Sequence, residues 1–208
     1  MSLPVVPAQP AERADAARNR QRILEAAARV VADRGPAGLT MDEVAAAAGV
    51  GVGTVYRRFT DRAGLAQALL DAQEQRFQAA FLHGSPPLGP GAPPGERIRA
   101  FLHAYVDRLV DEAPMLVVAE SYPPAARFAS GAYGLHRNHL ARLIAQVRPE
   151  ADADYVAEAL MAPLAAVVFL HQHRDRGMSV GRIRAGLDDL LRGVLADSRA
   201  RGRRQRPE

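Results

Sequence analysis

Apolar residues recur along this chain at the three- and four-residue spacing of amphipathic helices, and no stretch alternates as a half-buried strand would. The first stripe, Ile23, Ala27, Val30 and Val31, ends at Gly35, Pro36 and Gly38, residue types that stop a helix. Two short stripes follow within residues 40–59, and Leu65, Leu69, Phe77 and Phe81 predict a long fourth helix over residues 61–82. Residues 83–95, HGSPPLGPGAPPG, hold too much Pro and Gly for a helix and read as a mobile loop. Beyond it, Ile98, Phe101, Leu102, Tyr105 and Leu109 share one face of a helix that Pro114 should close, with a short apolar helix over residues 115–121. A helix over residues 130–147 buries Leu140, Leu143, Ile144 and Val147. Two long helices complete the chain. The first, over residues 152–176, is apolar almost without interruption through ALMAPLAAVVFL and should kink at Pro163; the second, over residues 180–198, carries Ile183, Leu187, Leu190, Leu191, Val194 and Leu195.

The most specific segment is TMDEVAAAAGVGVGTVYRRF, residues 40–59. Thr40 is placed to cap a helix, and Glu43 to reach back in a capping box. Gly49 supplies the positive φ that a helix C-terminus commonly needs, so the chain can turn and start again at about Val52. Small Ala45 allows close crossing, while Val44, Val50, Val55 and Phe59 fix the angle; what remains exposed is Thr54, Tyr56, Arg57 and Arg58. This is a helix-turn-helix with a basic outer face. Arginines pair with phosphates or fork onto guanine, and hydroxyls donate to phosphate oxygens, so the pattern points to DNA rather than to a merely solvated helix.

The run RQRILEAAARVVADRGPAGLTMDEVAAAAGVGVGTVYRRFTDRAGL resembles the N-terminal domain of the TetR/AcrR family of bacterial transcriptional regulators. The likeness covers about a third of the chain and rests on the L-T-x-x-x-V-A cap, the A-G-V corner, the G-T-V-Y-x-x-F helix and the basic residue beyond it. It implies an all-α homodimer, each subunit carrying a three-helix DNA-binding head on a larger helical domain that dimerises and holds a small effector. It also implies DNA-backbone contacts for Thr40 and Tyr56, and a phosphate anchor at Arg62, where relatives carry lysine. Two positions depart from the family pattern. Gly51 stands where many relatives have Ser or Thr, and Val52 where Lys or Pro is usual, so base reading should lean harder on Thr54, Arg57 and Arg58.

The domains expected on this reading are a disordered arm over residues 1–17, the head over 18–64, the helical body over 65–198 and an Arg-rich tail over 199–208. Within a chain of 208 residues this leaves ample length for a helical core, and with no cysteine there are neither disulfides nor thiolate metal sites. No apolar run approaches the roughly 20 residues of a membrane span, and no signal peptide is legible, so a cytoplasmic location is expected. Net charge is only +4, and every basic side chain other than histidine is arginine. Placement matters more than the total: Arg13, Arg18, Arg20 and Arg22 lead into the first helix and Arg57, Arg58 and Arg62 surround the recognition helix.

Burial of the apolar stretch 157–170 calls for a partner as well as the chain's own body, and the family likeness adds that the last two helices form a four-helix bundle across a two-fold axis. The interface expected there comprises Leu160, Leu164, Val167, Leu187, Leu191 and Leu195. An effector pocket would draw on Phe101, Tyr105, Met115, Glu120, Tyr122, Phe128, Tyr133, His136, Met161 and Phe169, although such residues at helical spacing are more often plain core. His136 and His139 lie a turn apart, but two histidines without further ligands do not make a metal site, so no cofactor is expected. There is no phosphate loop, no G-x-S-x-G elbow, no H-E-x-x-H and no convergent carboxylate pair, so catalysis has no support. The expected function is therefore an effector-released repressor bound to double-stranded operator DNA. The alternatives are a helical carrier or enzyme with an incidental basic head, and an architectural DNA binder without effector.

Overall fold

The computed structural model describes residues 10–120 and 126–201, and among these every regular element is helical. The chain divides into two compact units, Met1–Leu69 and Leu70–Glu208.

The first unit is built on α1 (Pro10–Arg34), α2 (Met41–Ala48), α3 (Val52–Phe59) and the start of α4 (Arg62–His83). Ile23, Ala26, Ala27 and Val30 on α1 are buried, as are Leu39, Val44, Ala45, Val55, Phe59, Leu65 and Ala66. α1 packs on α2, and α2 on α3. The first helix begins at Pro10, not near residue 18, which corrects the expected arm for residues 10–17. Pro at a first helical position followed by Ala, Glu and Arg favours helix, but the segment carries no apolar stripe to read. Residues 1–9 lie outside the described residues.

The second unit holds the rest of α4, α5 (Pro94–Ala119), α6 (Ala126–Ala129), α7 (Gly131–Val147), α8 (Ala153–Met161), α9 (Ala166–Leu170) and α10 (Val180–Arg201). α5 is its axis, packing against α7, α9 and α10, while α7 also packs on α8. Ile98, Phe101, Leu102, Val106 and Leu109 are buried along it, opposite Leu140, Leu143, Ile144, Leu164, Phe169, Leu187 and Leu191. Residues 84–93 form turns between α4 and α5.

Two prolines act differently from expectation. Pro114 does not close a helix: α5 runs through it to Ala119, so no separate helix begins at Met115. The carbonyl that loses its partner belongs to Val110, which is 42% exposed, so water can satisfy it. Pro163 does more than kink. It breaks the expected 152–176 helix into α8 and α9 through a 3-10 turn at Ala162–Leu164, bending the path by 43°, and a π-helical turn at His171–Asp175 follows. No single helix among the described residues is long and apolar enough to cross a membrane, although the bent pair has the length and composition to do so.

Candidate nucleic-acid interface and the polar core of the body

The recognition element is set by three local devices. At the start of α2, Thr40 Oγ1 accepts from the Glu43 amide at 3.2 Å, as a cap requires. The reciprocal half of the capping box is not made: the Thr40 amide donates to Gly38 O at 2.8 Å, and the Glu43 carboxylate pairs with Arg34 at 2.7 Å. At the end of α2, Gly49 is left-handed, with φ 63° and ψ 40°, and the Val50 amide donates back to Ala45 O at 3.0 Å. α3 then starts on Gly51, which has no side chain to cap it, through the Thr54 amide bonding Gly51 O at 2.8 Å.

α3 turns Val55 and Phe59 into the head's core, which leaves Val52, Gly53, Tyr56, Arg57 and Arg58 exposed. Thr54 is half-buried and accepts from Arg57 Nη2 at 3.3 Å, so it orients an arginine as well as facing outward. The third device follows α3 and was not read from sequence. Thr60 takes φ 64° and ψ −53°, and the Asp61 amide donates to Phe59 O at 2.6 Å, the geometry of a strained γ-turn. Asp61 Oδ1 accepts from the Gly64 amide at 2.8 Å, capping α4. An Asp three residues ahead of a small residue at a helix start was the available signal. Arg62, expected as a phosphate anchor, lies at this corner with Nη2 donating to Pro36 O at 2.8 Å while the side chain stays exposed. Among the basic residues leading in, Arg18 pairs with Asp15, Arg22 donates to Asn19, and the Arg20 guanidinium stands 5.5 Å over the Phe59 ring.

In the second unit the expected effector residues separate into groups. Phe101, Tyr105 and His136 come together, with ring centroids 5.5–6.1 Å apart, and they enclose Phe77 and Phe81 as well. Met115, Tyr133, Met161 and Phe169 are buried, Phe169 stacking on His173 at 5.4 Å. Glu120 is half-buried, and Phe128 is 64% exposed, which makes it a surface residue and not a pocket wall in this arrangement. Tyr122 lies outside the described residues.

The residue missed from sequence is Glu74. It sits on the same stripe of α4 as Leu70, Phe77 and Phe81, and a carboxylate inside an apolar stripe was the signal. Its Oε1 meets His136 Nε2 at 2.9 Å and accepts from Gln78 at 2.6 Å; its other oxygen pairs with Arg108, whose Nε donates to Glu112 at 2.5 Å. Burial alone would raise the Glu74 carboxyl, but the His136 and Arg108 interactions outweigh it and hold it at about 2. Burial in turn lowers His136 despite that carboxylate, and lowers His139 to about 4. A neutral His136 donating from Nε2 leaves Nδ1 as a bare acceptor, and among the described residues Nδ1 has no partner; nor do His139 Nε2 and Arg127 Nη2. Arg127 reaches Glu120 only at 3.3 Å and lies 5.2 Å over the Tyr133 ring. Among the described residues no group of three or more His, Asp or Glu is placed to hold a metal ion.

The positions expected at a dimer interface differ in exposure within the single chain. Leu160, Leu164, Leu187 and Leu191 are buried in their own protomer and Leu195 is half-buried. Val167 is 65% exposed, and the outward leucine of α10 is Leu190, at 54%. A 100° step per residue puts Leu190 and Leu191 on different faces, and sequence alone does not say which faces the chain's own body.

Residues 23–69 match the family model described as bacterial regulatory proteins, tetR family. The N-terminal segment is thus a tetR-family DNA-binding domain by sequence. A TetR-family structure from Rhodococcus sp. superposes with a TM-score of 0.60 at 23% identity, covering 85% of this chain and 98% of that one. A second structure, a transcriptional regulator from Saccharomonospora viridis in complex with choline, gives a TM-score of 0.61 at 23% identity over 84% and 96% of the two chains. In sequence, an HTH-type transcriptional regulator of Staphylococcus aureus strain USA300 is 42% identical over 69 residues, which is 33% of this chain and 37% of that protein. The family-model match thus lies in the head, and the likeness of the body to these structures is one of fold.

Proposed function

We propose that this TetR-family protein is a cytoplasmic DNA-binding transcriptional regulator that acts as a homodimer on double-stranded operator DNA, with a small-molecule effector lowering that affinity, which makes it a repressor. The observation that carries the reading is the division of α3: Val55 and Phe59 hold the helix to the head, and Tyr56, Arg57 and Arg58 are left exposed on a short helix without an acidic residue. Such a surface neutralises phosphates and reaches base edges in a major groove.

Effector response is supported by the body's interior, where buried polar atoms of His136, His139 and Arg127 lack partners among the described residues. Such atoms cost free energy that a ligand offering a hydroxyl to His136 Nδ1 and an acceptor to Arg127 Nη2 would recover, while its apolar remainder meets Phe101 and Tyr105. A choline complex in a protein of the same fold supports a small molecule in this kind of body. α4 begins in one unit and ends in the other, so it is the covalent path by which such a ligand would act. For self-association, the exposed Val167 on α9 and Leu190 on α10 supply the apolar face.

Selection of duplexes from a random library with the full chain, followed by anisotropy titration of the winners, tests the reading. Enrichment of a common motif bound at nanomolar to micromolar protein is expected; enrichment of none would overturn it.

A further inference from the structure

Among the described residues of the N-terminal unit, the large hydrophobic side chains left exposed are Val52 and Tyr56, at 38% and 50%. They stand one turn apart and so share a face of α3. The other apolar residues of that helix, Val55 and Phe59, are buried. A β-branched residue gains nothing in helix propensity at such a place. Its flanks are bare: a Cβ added at Gly51 or Gly53 would meet nothing within 4 Å. Val52 is therefore the exposed apolar side chain of the first turn of a helix whose last turn carries Arg57 and Arg58.

An apolar group set into a cationic surface suits an anionic partner that itself offers an apolar point. Duplex DNA does so at one atom, the C5-methyl of thymine, which projects into the major groove, where an inserted helix would meet it. Resting on the DNA-binding reading above, we propose that Val52 is a specificity-determining residue that selects thymine by packing its methyls on that C5-methyl. The bare glycines on either side let the start of α3 approach the base edge closely. Cytosine in that place offers only C5–H and an amino donor that valine cannot accept, so the same contact discriminates between the two pyrimidines. Tyr56, one turn further along the face, flanks Val52, with its hydroxyl free to reach the backbone of the same strand.

The test uses the full chain and a duplex obtained by selection from a random library. Each thymine of that duplex is replaced in turn by deoxyuridine, which keeps the pairing edge and removes only the methyl. Wild type should bind about fourfold more weakly at one or more particular positions, the equivalent of one methyl group's burial. The same replacement should be neutral for Val52→Ala, which should melt with wild type because Val52 is exposed. Deoxyuridine without effect at every position, or an equal loss in Val52→Ala, would overturn the thymine contact while leaving DNA binding intact. A chain that enriches no duplex would overturn both.

Discussion

At the scale of residues, the proposed DNA affinity rests on the exposed side chains of α3. Arg58→Ala and Tyr56→Phe should each weaken duplex binding without lowering the melting temperature, since both residues are exposed. If Arg58 meets phosphate, its loss should weaken all sequences alike and shift the salt slope by about one; if it meets a base, it should cost about 1–3 kcal/mol at one position. Unchanged affinity in both variants would remove α3 from the interface. The buried histidines make a separate prediction about stability. His139 titrates at about 4 when folded against 6.5 ordinarily, so between those values the unfolded chain binds more protons. Stability should accordingly be unaffected by His139 above pH 6.5 and fall as pH drops from 6.5 toward 4, with a slope of up to about 1.4 kcal/mol per pH unit for one proton. His139→Leu, which also removes an unpartnered nitrogen, should flatten that part of the profile in acid-dependent urea melts. Glu74 acts lower, its contribution being lost as pH falls from 4.5 to about 2.

Elements show what could and could not be read from the chain. α3 was legible because a capping threonine, a left-handed glycine and the Val55–Phe59 spacing all act within a few residues of one another. Its hidden partner was the corner after it. Thr60 adopts positive φ although its side chain predicts nothing of the kind, and Gly64 is needed because an added Cβ would lie 2.2 Å from Phe59 O. Gly64→Ala should therefore destabilise the head by about 1–3 kcal/mol and move α3, read as a lower melting temperature together with weaker DNA binding. Wild-type stability in that variant would contradict the geometry of the corner. α8 to α10 were legible as apolar helices but not in their facing, because an apolar stripe does not say which of two partners it meets. Leu190→Glu, at an exposed position, should give a folded monomer in sedimentation, whereas Leu191→Glu, inside the protomer, should cost several kcal/mol and unfold the body. A dimeric Leu190→Glu would move the interface elsewhere. Pro114 and Pro163 read alike in sequence, and exposure does not separate them, since the residues four before each, Val110 and Ala159, are both exposed.

For the whole molecule, the head is small and the body holds well over half of the chain, with an interior where some polar atoms find no partner among the described residues. The fold class was legible throughout, since helical periodicity needs no knowledge of partners. The polar core was not: Glu74 looks like one more surface carboxylate until α4 is laid against Arg108 on α5 and His136 on α7. If a ligand binds that core and changes duplex affinity by a typical 5- to 150-fold, the duplex must weaken the ligand by the same factor, because coupling free energy is reciprocal. Titrating a ligand that releases the duplex, with and without DNA, should give dissociation constants differing by that factor, and equal constants would mean the ligand acts by another route. The central claim, that α3 delivers this chain to DNA, is tested most directly by the affinity of the wild-type protein for its selected duplex across a series of salt concentrations, beside the Arg57→Ala, Arg58→Ala double variant. Wild-type affinity should fall linearly in log–log form, by about 0.9 per phosphate neutralised, and the double variant should bind more weakly with a shallower slope. Two superimposable lines would contradict the account.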